Sequence, residues 1–131
     1  MDRIDIHIEV PAVPFEELSK QTAPTTTSET MRDEVIRARD VQAKRFADGP
    51  ANVRYNAQMT SRQVREFCEL SSSCQQMLRY SVEEMGLSAR AHDKILRVSR
   101  TIADVSGDED ISEIHLAEAI GYRSLDRDLW V

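Results

Sequence analysis

The chain has 131 residues, with 17 Lys and Arg against 23 Asp and Glu, and 40% of its residues are hydrophobic. This length excludes a large multidomain enzyme and predicts one modest domain, which can bury a core without metal or disulfide support. The formal net charge of −6 excludes a surface that binds nucleic acid or anionic membrane over its whole area, because such binding needs clustered positive charge. Gly, Pro and aromatic residues are scarce, which favours helices.

The two cysteines, Cys68 and Cys74, lie six residues apart, with no other Cys or His at zinc-ligand spacing. They form no disulfide framework, so a reducing compartment is expected. No apolar stretch is long enough to span a bilayer, and the first residues do not resemble a signal peptide. The sequence therefore predicts a soluble cytoplasmic protein, in which both thiols are small buried groups rather than nucleophiles.

The first ten residues alternate between apolar and polar side chains, with Ile4, Ile6, Ile8 and Val10 on one side. A period of two predicts a half-buried strand, which the following prolines end. A single strand needs neighbours for its backbone hydrogen bonds, and no other strand is predicted. We therefore expect residues 1–14 to be an orphan N-terminal strand from a core that lies mostly outside this chain. The polar residues 15–30, interrupted by Pro24, are predicted to be a linker.

Residues 31–131 are predicted to form a domain of about five helices, the first of which begins near Ser28 and runs to Ala47. Its short connections predict an antiparallel bundle, so the fold class is mostly α. Capping patterns and glycines mark the other boundaries. Capping boxes at residues 60–63 and 72–75 open the second and third helices, and Gly86 ends the third. Ser88 caps the start of the fourth helix and Gly107 follows its end, and Ser112 begins the fifth.

Apolar residues within these helices recur at intervals of three or four, which predicts the faces that pack inward. The predicted faces are Met31, Val35, Ala38, Gln42 and Phe46; Val64, Phe67 and Leu70; Met77, Leu78, Val82 and Met85; Ala91, Ile95, Val98, Ile102 and Val105; and Ile114, Leu116, Ala117 and Ile120.

Four stretches of the sequence carry a family resemblance. They are DRIDIHIEVP at residues 2–11, LSARAH at 87–92, RTIAD at 100–104 and HLAEAI at 115–120. In this order they resemble the C-terminal part of the magnesium chelatase-related AAA+ ATPases, the YifB or ComM group of bacteria. The resemblance covers essentially the whole chain, from the end of the ATPase core through the helical lid. It implies an AAA+ lid-type bundle that belongs to a longer ATPase.

The resemblance implies a role for two arginines. Arg3 falls on the arginine-finger position, from which one subunit reaches the nucleotide held by its neighbour. From local sequence alone, Arg3 is a cation that pairs with Asp2 or Asp5. Arg90 falls on the sensor-2 position of the lid. The predicted place of Arg90 in the first helical turn agrees with a role in binding nucleotide, because a cation there is unfavourable unless an anion is near. The alternative is that Arg90 forms a salt bridge to Asp93 or Glu84.

The chain contains no Walker A pattern, GxxxxGK[ST], so it is not expected to bind or hydrolyse ATP alone. The resemblance implies that ATP and Mg are cofactors of the full-length parent. It implies as partners the parent's own core and the neighbouring subunits of a homo-oligomeric ring, a hexamer. It also implies a DNA-acting motor, since ComM members are linked to DNA branch migration in natural transformation.

Other candidate residues favour structural roles. His7, His92 and His115 share no metal-ligand spacing, so surface or partly packed histidines are expected. Asp108, Glu109 and Asp110 are predicted to form a solvated loop. The four early cations of the basic stretch scatter around the predicted first helix, with Asp40 among them, which indicates a solvated face. The alternative is contact with DNA or with the acidic side of a neighbouring subunit. The cations of this stretch are Arg37, Arg39, Lys44, Arg45, Arg54, Arg62 and Arg65.

Two other functional classes remain open: a stand-alone helical protein-interaction module and a DNA-binding domain. The first would account for the bundle but not for the orphan strand. The second would account for the basic middle of the chain, but not for residues 104–131, which hold eight acidic and two basic side chains.

Overall fold

The computed structural model describes Ile6, Ile8 and residues 27–123. In this part of the chain there are five α-helices and one turn of 3-10 helix, so the mostly helical fold class is confirmed. The helices are α1 (Ser28–Arg45), α2 (Ser61–Phe67), α3 (Ser72–Met85), α4 (Ala89–Ser106) and α5 (Glu113–Gly121), and the 3-10 turn is Asn56–Gln58.

The predicted N-terminal strand is not seen in the described residues. Of its residues only Ile6 and Ile8 are described; neither is in a strand, and they are 46% and 64% exposed. The rest of residues 1–14, including Arg3, lies outside the described residues.

Local hydrogen bonds set the helix boundaries. Thr60 opens α2 with the predicted capping box, in which its hydroxyl accepts from the Gln63 amide at 3.3 Å and the Gln63 side chain accepts from the Thr60 amide at 3.0 Å. The third and fourth helices end at Gly86 and Gly107, whose φ values of 63° and 77° are left-handed, a conformation that glycine adopts without a steric penalty.

The predicted start of α3 is wrong by one residue. Ser71, not Ser72, is the N-cap, and its hydroxyl accepts from the Cys74 amide at 3.3 Å. Gln75 makes no capping box; its side-chain amide donates to the Leu70 carbonyl at 3.1 Å. Three consecutive serines offer several equivalent caps, and the observed register buries Cys74 and Leu78 against the core.

Helix α4 is the centre of the domain. It contacts α1, the 3-10 turn, α2 and α5, while α3 packs against α5. Because several elements surround it, its buried positions are not confined to one apolar row, and they include polar residues. The core of the described residues is Phe46, Val53, Met59, Val64, Cys68, Cys74, Leu78, Ile95, Leu96, Ala103, Ile111, Leu116 and Ala119.

Several predicted inward faces are only partly buried. On α1, Ala38 and Gln42 are buried, but Met31 and Val35 remain 52% and 48% exposed because no described element covers the N-terminal half of the helix. On α5, Ile114 is 80% exposed, and the helix instead buries Leu116 and Ala119 against the core. The prediction for Ile114 was therefore wrong.

Candidate functional site

Arg90 lies in the first turn of α4, as the sequence predicts. The Ser88 hydroxyl accepts from the Ala91 amide at 3.1 Å, so the helix begins at Ala89 and Arg90 is its second residue. The side chain is exposed. This position places a guanidinium beside amide N–H groups that have no partner within the helix.

The structural alternative for Arg90, a bridge to Asp93 or Glu84, is not formed. Among the described residues, Arg90 has no hydrogen bond or ion pair. The carboxylate of Asp93 is engaged elsewhere, because it accepts from the Ser61 hydroxyl at 3.2 Å and lies 3.3 Å from His92 Nδ1. Within the described part of the chain, the charge of Arg90 is therefore available to an external anion.

Arg90 lines a pocket of about 470 Å³ between α4 and the start of α2. Lys94 and Arg97 follow it along α4 and line the same pocket, and Ser61 and Asp93 complete its polar wall. The guanidinium of Arg97 donates to the Met59 carbonyl at 3.2 and 2.8 Å, through Nε and one terminal nitrogen. This bidentate contact holds the segment that leads into α2 against α4. The pocket thus depends on the tertiary fold, not on one helix.

A second, more apolar pocket of about 570 Å³ continues from this one. Lys94 and Arg97 line both pockets. Its apolar wall comes from α4, through Val98, Ile102 and Val105, with Ile6 and Tyr122 also lining it. One side of α4 therefore changes from cationic to apolar along its length.

The RTIAD motif at residues 100–104 forms a buried polar cluster, not part of an anion pocket. The Asp104 carboxylate accepts two hydrogen bonds from Arg45, at 2.7 and 2.8 Å, and one from Arg100 Nε, at 3.2 Å. Asn56 donates to the same carboxylate at 2.8 Å and accepts from Arg45 at 2.9 Å. This cluster ties α1, the 3-10 turn and α4 together.

Arg45 therefore corrects the prediction that the cations of α1 form a solvated face. Its side chain is only 12% exposed because it is folded against Asp104. Of the other cations, Arg37, Arg39 and Lys44 are exposed, and Arg39 lies over the Tyr55 ring, 4.9 Å from its centroid.

His115 has a capping role that the sequence analysis missed. It is buried, and its Nδ1 accepts from the Ser112 amide at 2.9 Å, at the N-terminus of α5. Nε2 lies 2.8 Å from an Asp108 carboxylate oxygen. An acceptor at Nδ1 leaves the ring proton on Nε2, where it donates to Asp108. The spacing of Ser112 and His115 matches a capping box with His in place of Glu or Gln.

The acidic loop is exposed at Asp108, Glu109 and Asp110, as predicted. Its backbone is nevertheless held, since Arg100 donates to the carbonyl oxygens of Asp108 and Glu109 at 3.0 and 2.8 Å. Within residues 27–123, no group of three or more His, Cys, Asp or Glu side chains could hold a metal ion.

Both cysteines are free and buried, as predicted. Burial raises the pKa of the Cys68 thiol from 9.0 to about 11, and this outweighs the lowering by the nearby Arg100 and Arg45 guanidinium groups. Cys68 is therefore a neutral packing group at physiological pH.

Comparison with known proteins identifies the family. Residues 25–123 match the family model described as magnesium chelatase, subunit ChlI C-terminal. The chain belongs to this family. It is 37% identical to the competence protein ComM of Haemophilus influenzae and 38% identical to the protein YifB of Escherichia coli, in each case over 127 residues. A protein of Mycobacterium tuberculosis is 27% identical over 123 residues. The predicted resemblance is thus confirmed.

These alignments cover 94–97% of this chain but 24% of each relative. The chain therefore spans about a quarter of the length of the curated relatives that it matches. None of the helices in residues 27–123 is both long and apolar enough to cross a membrane.

Proposed function

We propose that this chain is the C-terminal lid of a magnesium chelatase-related AAA+ ATPase and that Arg90 contacts the phosphates of the bound nucleotide as sensor 2. The observation that carries the proposal is the position of Arg90. It is exposed in the first turn of α4, has no partner among the described residues, and lines a pocket with two further cations.

The physical argument concerns the electrostatics of a helix start. The positive end of the helix dipole disfavours a cation there by about 0.3–1 kcal/mol, and the same dipole favours an anion. A phosphate beside Arg90 would reverse this penalty, because the guanidinium fork and the free amide groups of the first turn would both face negative charge. Arg90 would then offset charge that develops during phosphoryl transfer.

The residues present fit part of a nucleotide site. The pocket supplies cations for phosphate oxygens, but the sequence contains no Walker A pattern. The phosphate cradle and the Mg ligands would therefore come from the parent's ATPase core. In the parent, Mg and ATP would be the cofactors, and this chain alone would be inactive.

Arg3 is proposed as the arginine finger of the same protein, acting on the nucleotide of a neighbouring subunit. This role requires a homo-oligomeric ring, which we propose to be a hexamer. It rests on the place of Arg3 in the DRIDIHIEVP stretch and on the likeness to ComM and YifB, whose alignments cover 97% of this chain.

A DNA-acting motor is proposed for the parent on the ground that ComM is named a competence protein. The charge of α1 gives little support to direct DNA contact by this helix. Its exposed cations, Arg32, Arg37, Arg39 and Lys44, alternate with the exposed carboxylates Glu29, Asp33 and Asp40. Such a mixed surface creates no sustained positive field.

The test of the sensor-2 role is the steady-state ATPase rate of the longer protein that contains this chain. Arg90→Gln should lower kcat at least roughly tenfold, since a positioned donor to developing charge is typically worth more than that. Arg37→Gln removes the same charge from an exposed site on α1 and should leave the rate unchanged. A normal rate for Arg90→Gln would overturn the proposal.

The proposed role of Arg3 as an arginine finger is tested by mixing subunits, because Arg3 would act on the nucleotide of a neighbouring subunit. Arg3→Ala should also lower the ATPase rate, with a loss of about 10³-fold or more. Mixing this variant with Arg90→Gln subunits should restore part of the activity, because each ring would then contain some sites with both arginines. Absence of any restoration in rings shown to be mixed would argue against action between subunits.

A further inference from the structure

Lys94 is a second cation beside Arg90. It lies four residues later on α4, so the two side chains share one face of the helix, about 6 Å apart along its axis. Both line the pocket of about 470 Å³. Lys94 is half-buried whereas Arg90 is exposed, so Lys94 lies deeper, where solvent screens its charge less. The two cations therefore present charge at two depths of one pocket.

Cations outnumber carboxylates among the described residues that line this pocket. Arg90, Lys94 and Arg97 are the cations, and Asp93 is the only carboxylate among these described residues. The Asp93 carboxylate is already engaged by the Ser61 hydroxyl and His92. Arg97 is committed to the Met59 carbonyl through two nitrogens. Arg97 thus contributes a fixed background charge, and Arg90 and Lys94 are the other two cations that line the pocket.

We propose that Lys94 binds the same chain of linked phosphates as Arg90, each cation contacting a different phosphoryl group. The ligand class is a polyphosphate, as in a nucleoside triphosphate. The inference deepens the proposed function and rests on it for the identity of the ligand. The two residue types suit this ligand. The guanidinium of Arg90 can donate two parallel hydrogen bonds to a terminal phosphate, and the ammonium of Lys94 is a compact point charge beside the next phosphoryl group.

Lys94 also interacts within the chain, so the test must separate phosphate binding from folding. The probe is inorganic tripolyphosphate without metal, titrated into the 131-residue chain labelled with ¹⁵N, at pH 7 and physiological salt. Dissociation constants come from the amide shifts of residues 89–94. A thermal unfolding curve of each variant reports its stability independently.

Four variants define the result. Lys94→Gln and Arg90→Gln should each weaken binding roughly tenfold, the loss expected for one charge-assisted contact. Lys94→Arg keeps the charge and should bind nearly as well as the natural chain. Lys44→Gln removes the same charge from an exposed site on α1 and should have no effect.

The outcomes separate this inference from the proposed function. If only Arg90→Gln weakens binding, the role of Lys94 is refuted and that of Arg90 stands. If only Lys94→Gln does, the pocket binds phosphate but Arg90 is not its sensor. Equal losses for all the Gln variants, including Lys44→Gln, would indicate unspecific attraction and overturn the inference. If Lys94→Gln unfolds the chain, Lys94→Arg provides the test. A folded Lys94→Arg chain that binds tripolyphosphate as tightly as the natural chain supports the proposal, and a folded one that does not bind tripolyphosphate refutes it.

Discussion

Replacement of the buried Asp104 should destabilise the domain strongly. Its carboxylate accepts four hydrogen bonds at 2.7–3.2 Å from Arg45, Arg100 and Asn56, and its side chain is 0% exposed. Asp104→Ala leaves two guanidinium groups, 12% and 6% exposed, without their counterion. Removing one partner of a buried ion pair costs about 3–5 kcal/mol. Domains are stable by about 5–15 kcal/mol, so the variant should be close to unfolding.

Urea unfolding at pH 7, followed by far-UV circular dichroism, measures this loss. Glu83→Ala is the matched control, because the ion pair between Glu83 and Arg79 has side chains that are 68% and 82% exposed, and such pairs contribute at most about 1 kcal/mol. Asp104→Asn keeps the shape and one acceptor oxygen and should fall between the two. If Asp104→Ala lost less than about 1 kcal/mol of unfolding free energy with an unchanged denaturant slope, the cluster around Asp104 would not be holding α1, the 3-10 turn and α4 together.

Three further predictions concern the isolated chain. The pKa of Cys68 is about 11 in the folded chain against 9.0 as the reference value. The unfolded thiol therefore ionises first, and the free energy of unfolding should fall by about 2 kcal/mol as the pH rises from 9 to 11. In urea titrations the unfolding free energy of Cys68→Ala should lack this part of the decline with pH. The same dependence on pH in the variant and the natural chain would contradict the raised pKa of Cys68. Gly107→Ala should lower the free energy of unfolding by about 1 kcal/mol, because the φ of Gly107 is +77°. Gly121→Ala should be neutral or slightly stabilising, because Gly121 lies in a helix with open space around it. Thermal unfolding of the two variants measures the difference. Micromolar Mg-ATP should shift the thermal midpoint by less than about 1 °C, because the sequence contains no Walker A pattern and the cations of the pocket alone bind a polyphosphate weakly. A shift of several degrees at this concentration would show a complete site in this chain.

The helix boundaries could be predicted because their determinants are local. The Thr60 capping box, the Ser88 cap and the glycines at 86 and 107 act through bonds that span only a few residues. The error at the start of α3 has the same origin: residues 71–73 are all serine, and local chemistry does not distinguish one serine hydroxyl from the next.

The candidate site was predicted only in part. The LSARAH stretch indicated Arg90, and Ser88 placed it in the first turn of a helix. The spacing of Lys94 and Arg97 after Arg90 was a usable signal for a shared face. That Ser61 of α2 lines the same pocket as Arg90 depends on the packing of α2 against α4, which the pattern within one helix does not report.

The helical class, the family and most helix boundaries follow from the sequence, with an error of one residue at the start of α3. Which side of each helix is covered depends on the tertiary structure. Ile114 has the right period for a core residue yet is exposed, and Arg45 looks like a surface cation yet joins Asp104, 59 positions away in the chain. The reason is that caps and periodicity are energies of neighbouring residues, whereas burial and ion pairing depend on which distant elements meet.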